Sequence, residues 1–383
     1  MRPQFKSSGA KLSPSFSAPS LEMPDSRPVH GGLDVVELKA LGLRPDEVVD
    51  FSASINPLGI SPRVTEAIRR VDLSAYPDPE CTELRNALSA HLGVPPDRIL
   101  AGNGSTELIH LVASARLRRG HAAAVFAPTF GEYEAACRLQ HVEPLPIRAA
   151  PERDFRWDIA EATHLLAELQ PALAFICNPN NPTGTYLERS EVEACARAVG
   201  DDGLLVVDEA YASFVDERWD TAPLLEVGNV ALVRSMTKQH GLPGLRLGYM
   251  VAPARMVGEV RRFQYTWSVN AVAQAAGVAA LDDPDHVEKG RLVVRAAREY
   301  LVREFRGLGL ACTPPSANFL LVEVGNATAL RLELLRRHRV CVRDCTSFGM
   351  PGHIRIGVRG TQDSRRLIAA LTDVLGRSLT SVH

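Results

Sequence analysis

Asn178-Pro-Asn-Asn-Pro-Thr-Gly184, Leu204-Leu-Val-Val207 running into Asp208-Glu-Ala-Tyr211, Ser235-Met-Thr-Lys238 and Gly244-Leu-Arg246 lie within one stretch of the chain, Ile176 to Arg246. Each apolar run reads as a buried strand, and each polar cluster sits where a run gives out. In open α/β sheets ligands bind outside the carboxyl ends of the strands, so these clusters are expected to converge on one crevice. Taken singly, none of them is informative. An Asp closing an apolar strand commonly caps a helix, every residue of Asn178 to Gly184 is a turn former, and Ser-Met-Thr-Lys passes for an exposed helical turn.

In register they are specific. Asn181, Asp208, Tyr211, Ser235, Lys238 and Arg246 resemble, position by position, the pyridoxal-phosphate enzymes of fold type I, the aspartate-aminotransferase-like α/β fold. That resemblance implies a large domain with a mainly parallel sheet and a smaller α+β domain. It implies pyridoxal 5′-phosphate as cofactor, with Lys238 as the Schiff-base lysine and Asp208 as the ionised partner of the ring nitrogen. Asn181 and Tyr211 correspond to the pair that hydrogen-bonds the ring's phenolic oxygen, and Ser235 and Arg246 to phosphate ligands. Arginine suits that role because its planar fork meets phosphate oxygens in pairs. Lys238, Asp208 and Tyr211 are then the catalytic candidates.

With 383 residues, one large unit plus a smaller one is expected. Apolar residues make up 45% and charged residues 23%, with a net charge of −2, which gives no reason to invoke nucleic acid or an anionic membrane. No apolar run has the length of a membrane span. Seven scattered cysteines argue for reduced thiols and a cytoplasmic location. Cys341 and Cys345 lack the second pair that a metal centre needs, so no metal is expected. Residues 1–28 are rich in Ser and Pro, without the hydrophobic core of a secretory signal, and read as a disordered tail. The expected divisions are an arm at 29–60 joining the small domain, a large cofactor domain at 61–265 and a small domain at 266–383.

The arm carries His30-Gly-Gly32 and Asp50-Phe-Ser-Ala-Ser-Ile-Asn-Pro-Leu-Gly59. These resemble the opening of the histidinol-phosphate aminotransferase group, and most closely its threonine-phosphate decarboxylase branch, in which this loop lies across the mouth of the site. Ser54 departs from the branch, which often has asparagine there. Tyr76, in Tyr76-Pro-Asp-Pro79, resembles the tyrosine that the family donates across a dimer interface to the neighbouring cofactor phosphate; otherwise it packs under its turn. Leu100-Ala-Gly-Asn-Gly-Ser-Thr-Glu107 is an apolar approach that breaks into glycine and hydroxyls before a helical pattern resumes. Gly104, Ser105 and Thr106 therefore sit at a helix N-terminus, a natural phosphate site. Phe130 resembles the aromatic that stacks on the pyridine face, with Tyr133 an adjacent candidate.

Strands are expected at 122–127, 173–177, 204–207, 230–233 and 247–251, with helical patterns between them. From about Val260 the pattern changes to long helices, with Val293, Ala296, Tyr300, Leu301 and Phe305 near helical spacing. Arg355 alternates with Ile354 and Ile356 and matches the family arginine for the substrate α-carboxylate. Arg343 matches the branch's arginine for the substrate phosphate. With Gly32 and Asn181 they form the expected substrate side, although either arginine could be a surface charge. The expectation is a homodimeric lyase that decarboxylates L-threonine O-3-phosphate in cobalamin synthesis. Two alternatives stand beside it: a histidinol-phosphate aminotransferase using the same residues, and a non-catalytic binding domain that keeps the fold.

Overall fold

A computed structural model describes residues 28–380 and divides the strands among a seven-stranded sheet, a three-stranded sheet and a two-stranded pair. The segment 1–28, read as a tail, lies outside the described residues apart from Pro28. In chain order the strands are β1 (Val49–Asp50), β2 (Ile99–Gly102), β3 (Ala123–Ala127), β4 (Leu145–Arg148), β5 (Leu173–Cys177) and β6 (Leu205–Asp208). They continue as β7 (Val230–Ser235), β8 (Gly248–Val251), β9 (Phe319–Glu323), β10 (Val340–Cys341), β11 (Arg343–Asp344) and β12 (His353–Gly357).

The large sheet runs β2-β8-β7-β6-β5-β3-β4, and β8 alone is antiparallel to its neighbours. Successive residues alternate between two buried faces. Ala174, Ile176, Leu205 and Val207 enter one core cluster, while Leu173, Phe175, Leu204 and Val206 enter the other. Helices cover both faces, which is why these strands read as unbroken apolar runs rather than alternating ones. β4 is an edge strand, and Pro146 within it has no N–H to give to a further strand.

β9, β11 and β12 form the second sheet in the order β11-β12-β9, all antiparallel. It shares a core with the helices Pro284–Gly307, Ala327–His338 and Thr361–Thr380. Along Pro284–Gly307 the buried positions are Gly290, Val294, Ala297, Arg298, Leu301 and Phe305. The sequence spacing put Val293 and Ala296 inward. Two adjacent valines are equally apolar, and only packing sets which of them faces the core. The helix Ala271–Leu281, which the change of pattern assigned to the small domain, packs instead on the helices Pro62–Arg69 and Thr82–Leu92. Its small residues allow the close approach: a side chain on Gly277 would meet Leu247 and Leu84 at 2.7 Å. The arm joins the second unit through β1, which pairs in parallel with β10.

Candidate active site

The register of the large sheet brings the functional clusters to one edge. Cys177 lies opposite Asp208 in the β5–β6 ladder, and Asp208 opposite Val233 in β6–β7. Because β8 runs backwards, its first residue Gly248 lies opposite both Ser235 and Gly102. The ends of β2, β5, β6 and β7 and the entry to β8 therefore share one rim, where the loops after them open into a cavity of about 560 Å³. Lining it are Ser105, Thr106, Phe130, Asn181, Asp208, Tyr211, Ser235, Lys238 and Arg246 from the large unit, with Arg343 and Arg355 from the small one. A second cavity, of about 440 Å³, shares only Ser235 with it, and of the arginines lining it Arg234 and Arg291 are paired with Glu209 and Glu288.

On the large-unit side the cavity is built for a ring that carries a phosphate and a proton. The helix Gly104–Arg116 begins with Gly104 at φ +77°, and a Cβ there would stand 2.8 Å from the Arg246 guanidinium. Only glycine leaves room for that approach. Arg246 itself is held at φ 56°, a sparsely populated region for a residue with a side chain. The helix N-terminus, the Arg246 side chain and the Ser235–Thr237 hydroxyl pair, 2.6 Å apart, thus gather anion-binding groups around one end. Asp208 is only 3% exposed. The Tyr133 hydroxyl donates to its Oδ2 at 2.8 Å and the Ala210 amide to its Oδ1 at 2.9 Å. Burial pushes its carboxyl up to about 6 against those hydrogen bonds, Glu209 adding to the rise and Lys238 opposing it. Among the described residues no cation forms an ion pair with it. A carboxylate buried in this way fits a protonated ring nitrogen, and Lys238 lies on the same cavity wall with its Nζ 5.7 Å from the Tyr211 ring centroid. The residues present fit pyridoxal phosphate.

The opposite wall is cationic. Arg343 and Arg355 are cross-strand partners in β11 and β12, exposed by only 7% and 4%. Arg355 donates to Asn181 Oδ1 and, at 2.7 Å, to the Ser52 carbonyl. Arg343 donates to the Val29 carbonyl at 2.7 Å and the Ser347 hydroxyl at 2.6 Å, with its guanidinium over the Phe348 ring. Among the described residues neither forms an ion pair with a carboxylate. Burial, and then the charge of Arg355, push Arg343 below the ordinary arginine value. Arg355 faces away from the apolar side of β12, since Ile354 and Ile356 enter the small core. Gly32 lines the cavity too, its amide donating to Ser52 Oγ at 2.8 Å.

Tyr76 does not line the cavity of its own chain; it is 80% exposed and stacks on Trp267 with centroids 4.5 Å apart. Tyr133 holds a role that the sequence only bordered. It lines the cavity beside Phe130, its ring stacks on Phe175 at 4.9 Å, and its hydroxyl orients Asp208. The signal was its place three residues after Phe130 on an incipient helix. Glu132, buried between His30 and His110, escaped notice altogether. Hydrogen bonds from His110 and then His30 hold its carboxyl down to about 2.

Fold and site together define a pyridoxal-phosphate enzyme of fold type I. The chain belongs to the class I and II aminotransferases, whose family model matches residues 46–371. It is 36% identical to a histidinol-phosphate aminotransferase of Symbiobacterium thermophilum over 341 residues, which are 88% of this chain and 93% of that one. Among solved structures, the histidinol-phosphate aminotransferase of Sinorhizobium meliloti in complex with pyridoxal-5′-phosphate superposes with a TM-score of 0.81 at 26% identity. That match covers 89% of this chain and 94% of the other. L-threonine-O-3-phosphate decarboxylase of Porphyromonas gingivalis superposes with a TM-score of 0.72 at 27% identity, covering 85% of this chain and 99% of the other.

These similarities overturn the decarboxylase reading, and with it the lyase and cobalamin expectations. Relatives at 32–36% identity are described as histidinol-phosphate aminotransferases. The physical reason for the misreading is that both reactions use the same lysine, aspartate and arginines. Which bond at Cα breaks depends on which one stands perpendicular to the ring, and short motifs do not carry that. Among the described residues no helix is long and apolar enough to cross a membrane.

Proposed function

We propose that this aminotransferase moves an amino group between a phosphorylated amine of the histidinol-phosphate type and a 2-oxo acid. The observation that carries the reading is the buried pair Arg343 and Arg355, adjacent across β11 and β12 and without carboxylate partners among the described residues. Two uncompensated guanidinium groups need anionic ligands to offset their burial. A phosphate in one half-reaction and the carboxylates of a dicarboxylic acid in the other both meet that need through bidentate hydrogen bonds. The descriptions of the relatives support the same choice.

Pyridoxal phosphate, when bound, supplies an electron sink for the electron pair left at the substrate's Cα. Ser105, Thr106, Ser235 and Arg246 would hold its phosphate, and Asn181 and Tyr211 its phenolic oxygen. Asp208, oriented by Tyr133, would offer the ring nitrogen a fixed negative charge that favours its protonated form. Lys238 Nζ takes the proton from Cα of the amino donor and returns one to Cα of the acceptor. Arg355, braced by Asn181 and the Ser52 carbonyl, orients the substrate's anionic group so that the Cα–H bond faces the lysine. The active unit is a homodimer, in which the exposed Tyr76 of each chain reaches the partner's cofactor phosphate.

Purified protein incubated with histidinol phosphate and 2-oxoglutarate is expected to form glutamate. No glutamate above the enzyme-free rate, or carbon dioxide released from threonine phosphate instead, overturns the reading.

A further inference from the structure

Residues 29–32 are held from three directions. The Val29 carbonyl accepts from Arg343, and the Gly32 amide donates to Ser52 Oγ, which in turn donates to Asp50 at 2.6 Å. Gly31 packs so closely that a Cβ would stand 2.1 Å from the Ser52 carbonyl oxygen and 3.1 Å from Arg355 Nη2. These three contacts tie the segment to the arm and to the small sheet. Its tie to the large unit is different: His30 Nε2 lies 2.7 Å from Glu132 Oε1, while His110 Nε2 takes Oε2, also at 2.7 Å.

Glu132 is well placed for this work. It is the first residue of the helix Glu132–Leu139, between Phe130, which lines the cavity, and Tyr133, which orients Asp208. His110 comes from the helix whose first turn carries Ser105 and Thr106. One buried carboxylate, both oxygens engaged, therefore links the phosphate helix, the aromatic loop and the arm. The His30 ring lies over Phe130 with centroids 5.3 Å apart, and its Nδ1 has no partner among the described residues.

We propose that Glu132 is a positioning residue of the substrate site: through His30 it fixes residues 29–32 as the cavity's outer wall, where the substrate's anionic group meets Arg343. Arg343 gives only its Nη2 to the Val29 carbonyl and the Ser347 hydroxyl, so Nε and Nη1 remain for an arriving anion, and the Glu132–His30 bond keeps the segment in place over the bound substrate. This role rests on the reading that the cavity accepts an anionic amine.

Two measurements on the holoenzyme test it. Amide hydrogen exchange at Gly32 is expected to accelerate about tenfold in Glu132→Ala and in His30→Ala, the change that loss of one charge-assisted hydrogen bond brings. In steady-state kinetics both variants are expected to raise KM for histidinol phosphate about tenfold while kcat changes by less than a factor of about two. The double variant is expected to go no further than either single one, because both remove the same link. Glu132→Gln keeps one acceptor for His30 and recovers part of the KM. Unchanged exchange at Gly32 in His30→Ala, or additive effects in the double variant, overturns the role; His30 is half-exposed, so its variant decides even where Glu132→Ala does not fold. A wild-type enzyme inactive on histidinol phosphate removes the substrate assignment, and the exchange result then stands by itself.

Discussion

At Asp208 the demands of folding and of chemistry oppose one another. Burial lifts its carboxyl from 3.8 to about 6. An acid whose folded value is raised costs the fold stability wherever it is ionised. That cost is complete above about 6 and vanishes as pH falls below the unfolded value of 3.8. A rise of about two units corresponds to about 3 kcal/mol. Asp208→Asn is therefore expected to raise the thermal midpoint of the apoenzyme at pH 8 and to leave it nearly unchanged at pH 3.5. The same substitution is expected to reduce transamination by about a hundredfold or more, because a neutral amide cannot hold the ring nitrogen protonated. An apoenzyme destabilised at pH 8 by this change would refute the account. Tyr133→Phe is a milder probe, since the carboxylate keeps its backbone donor at Ala210.

Among the elements, the helix Gly104–Arg116 depends most on a single residue. Gly104→Ala places a Cβ in the left-handed region, at about 1–2 kcal/mol, and presses it against the Arg246 guanidinium. Cofactor affinity, measured by titrating the apoenzyme with pyridoxal phosphate and following absorbance, is expected to fall about tenfold or more. Affinity within about twofold of the wild type would show that the close approach is dispensable. This helix start was legible in the sequence because glycine followed by two hydroxyls before an apolar period has few other uses. The buried central strands were legible for a similar reason, being apolar on both faces. β4 was not: it is an edge strand interrupted by Pro146, so it lacks the continuous apolar run that marks its neighbours. Glu132, and the role of Tyr133 toward Asp208, were hidden because the partners lie far away in the chain, at Asp208, His30 and His110. Nothing local distinguishes a tyrosine that orients a carboxylate from one that fills a core.

For the whole molecule, the stacked pair Tyr76 and Trp267, with Leu73 and Tyr265 also exposed, leaves apolar surface open to solvent. If Tyr76 serves the partner's cofactor, Tyr76→Ala and Lys238→Ala chains, each impaired alone, complement one another. After mixing and subunit exchange about a quarter of the wild-type activity is expected, since half the dimers are hybrids with one intact site of two. No recovery in a mixture shown by sedimentation to contain dimers would assign Tyr76 to its own chain. The pairing of β1 with β10 bears on how such a chain matures. Val49 finds its neighbour Val340 only when most of the polypeptide has been made, so during synthesis the leading segment waits on the order of tens of seconds. A ribosome-stalled fragment ending before Val340 thus leaves Phe51 without the Cys341 carbonyl it pairs with and leaves the cavity without Arg343 and Arg355, a natural handle for chaperones.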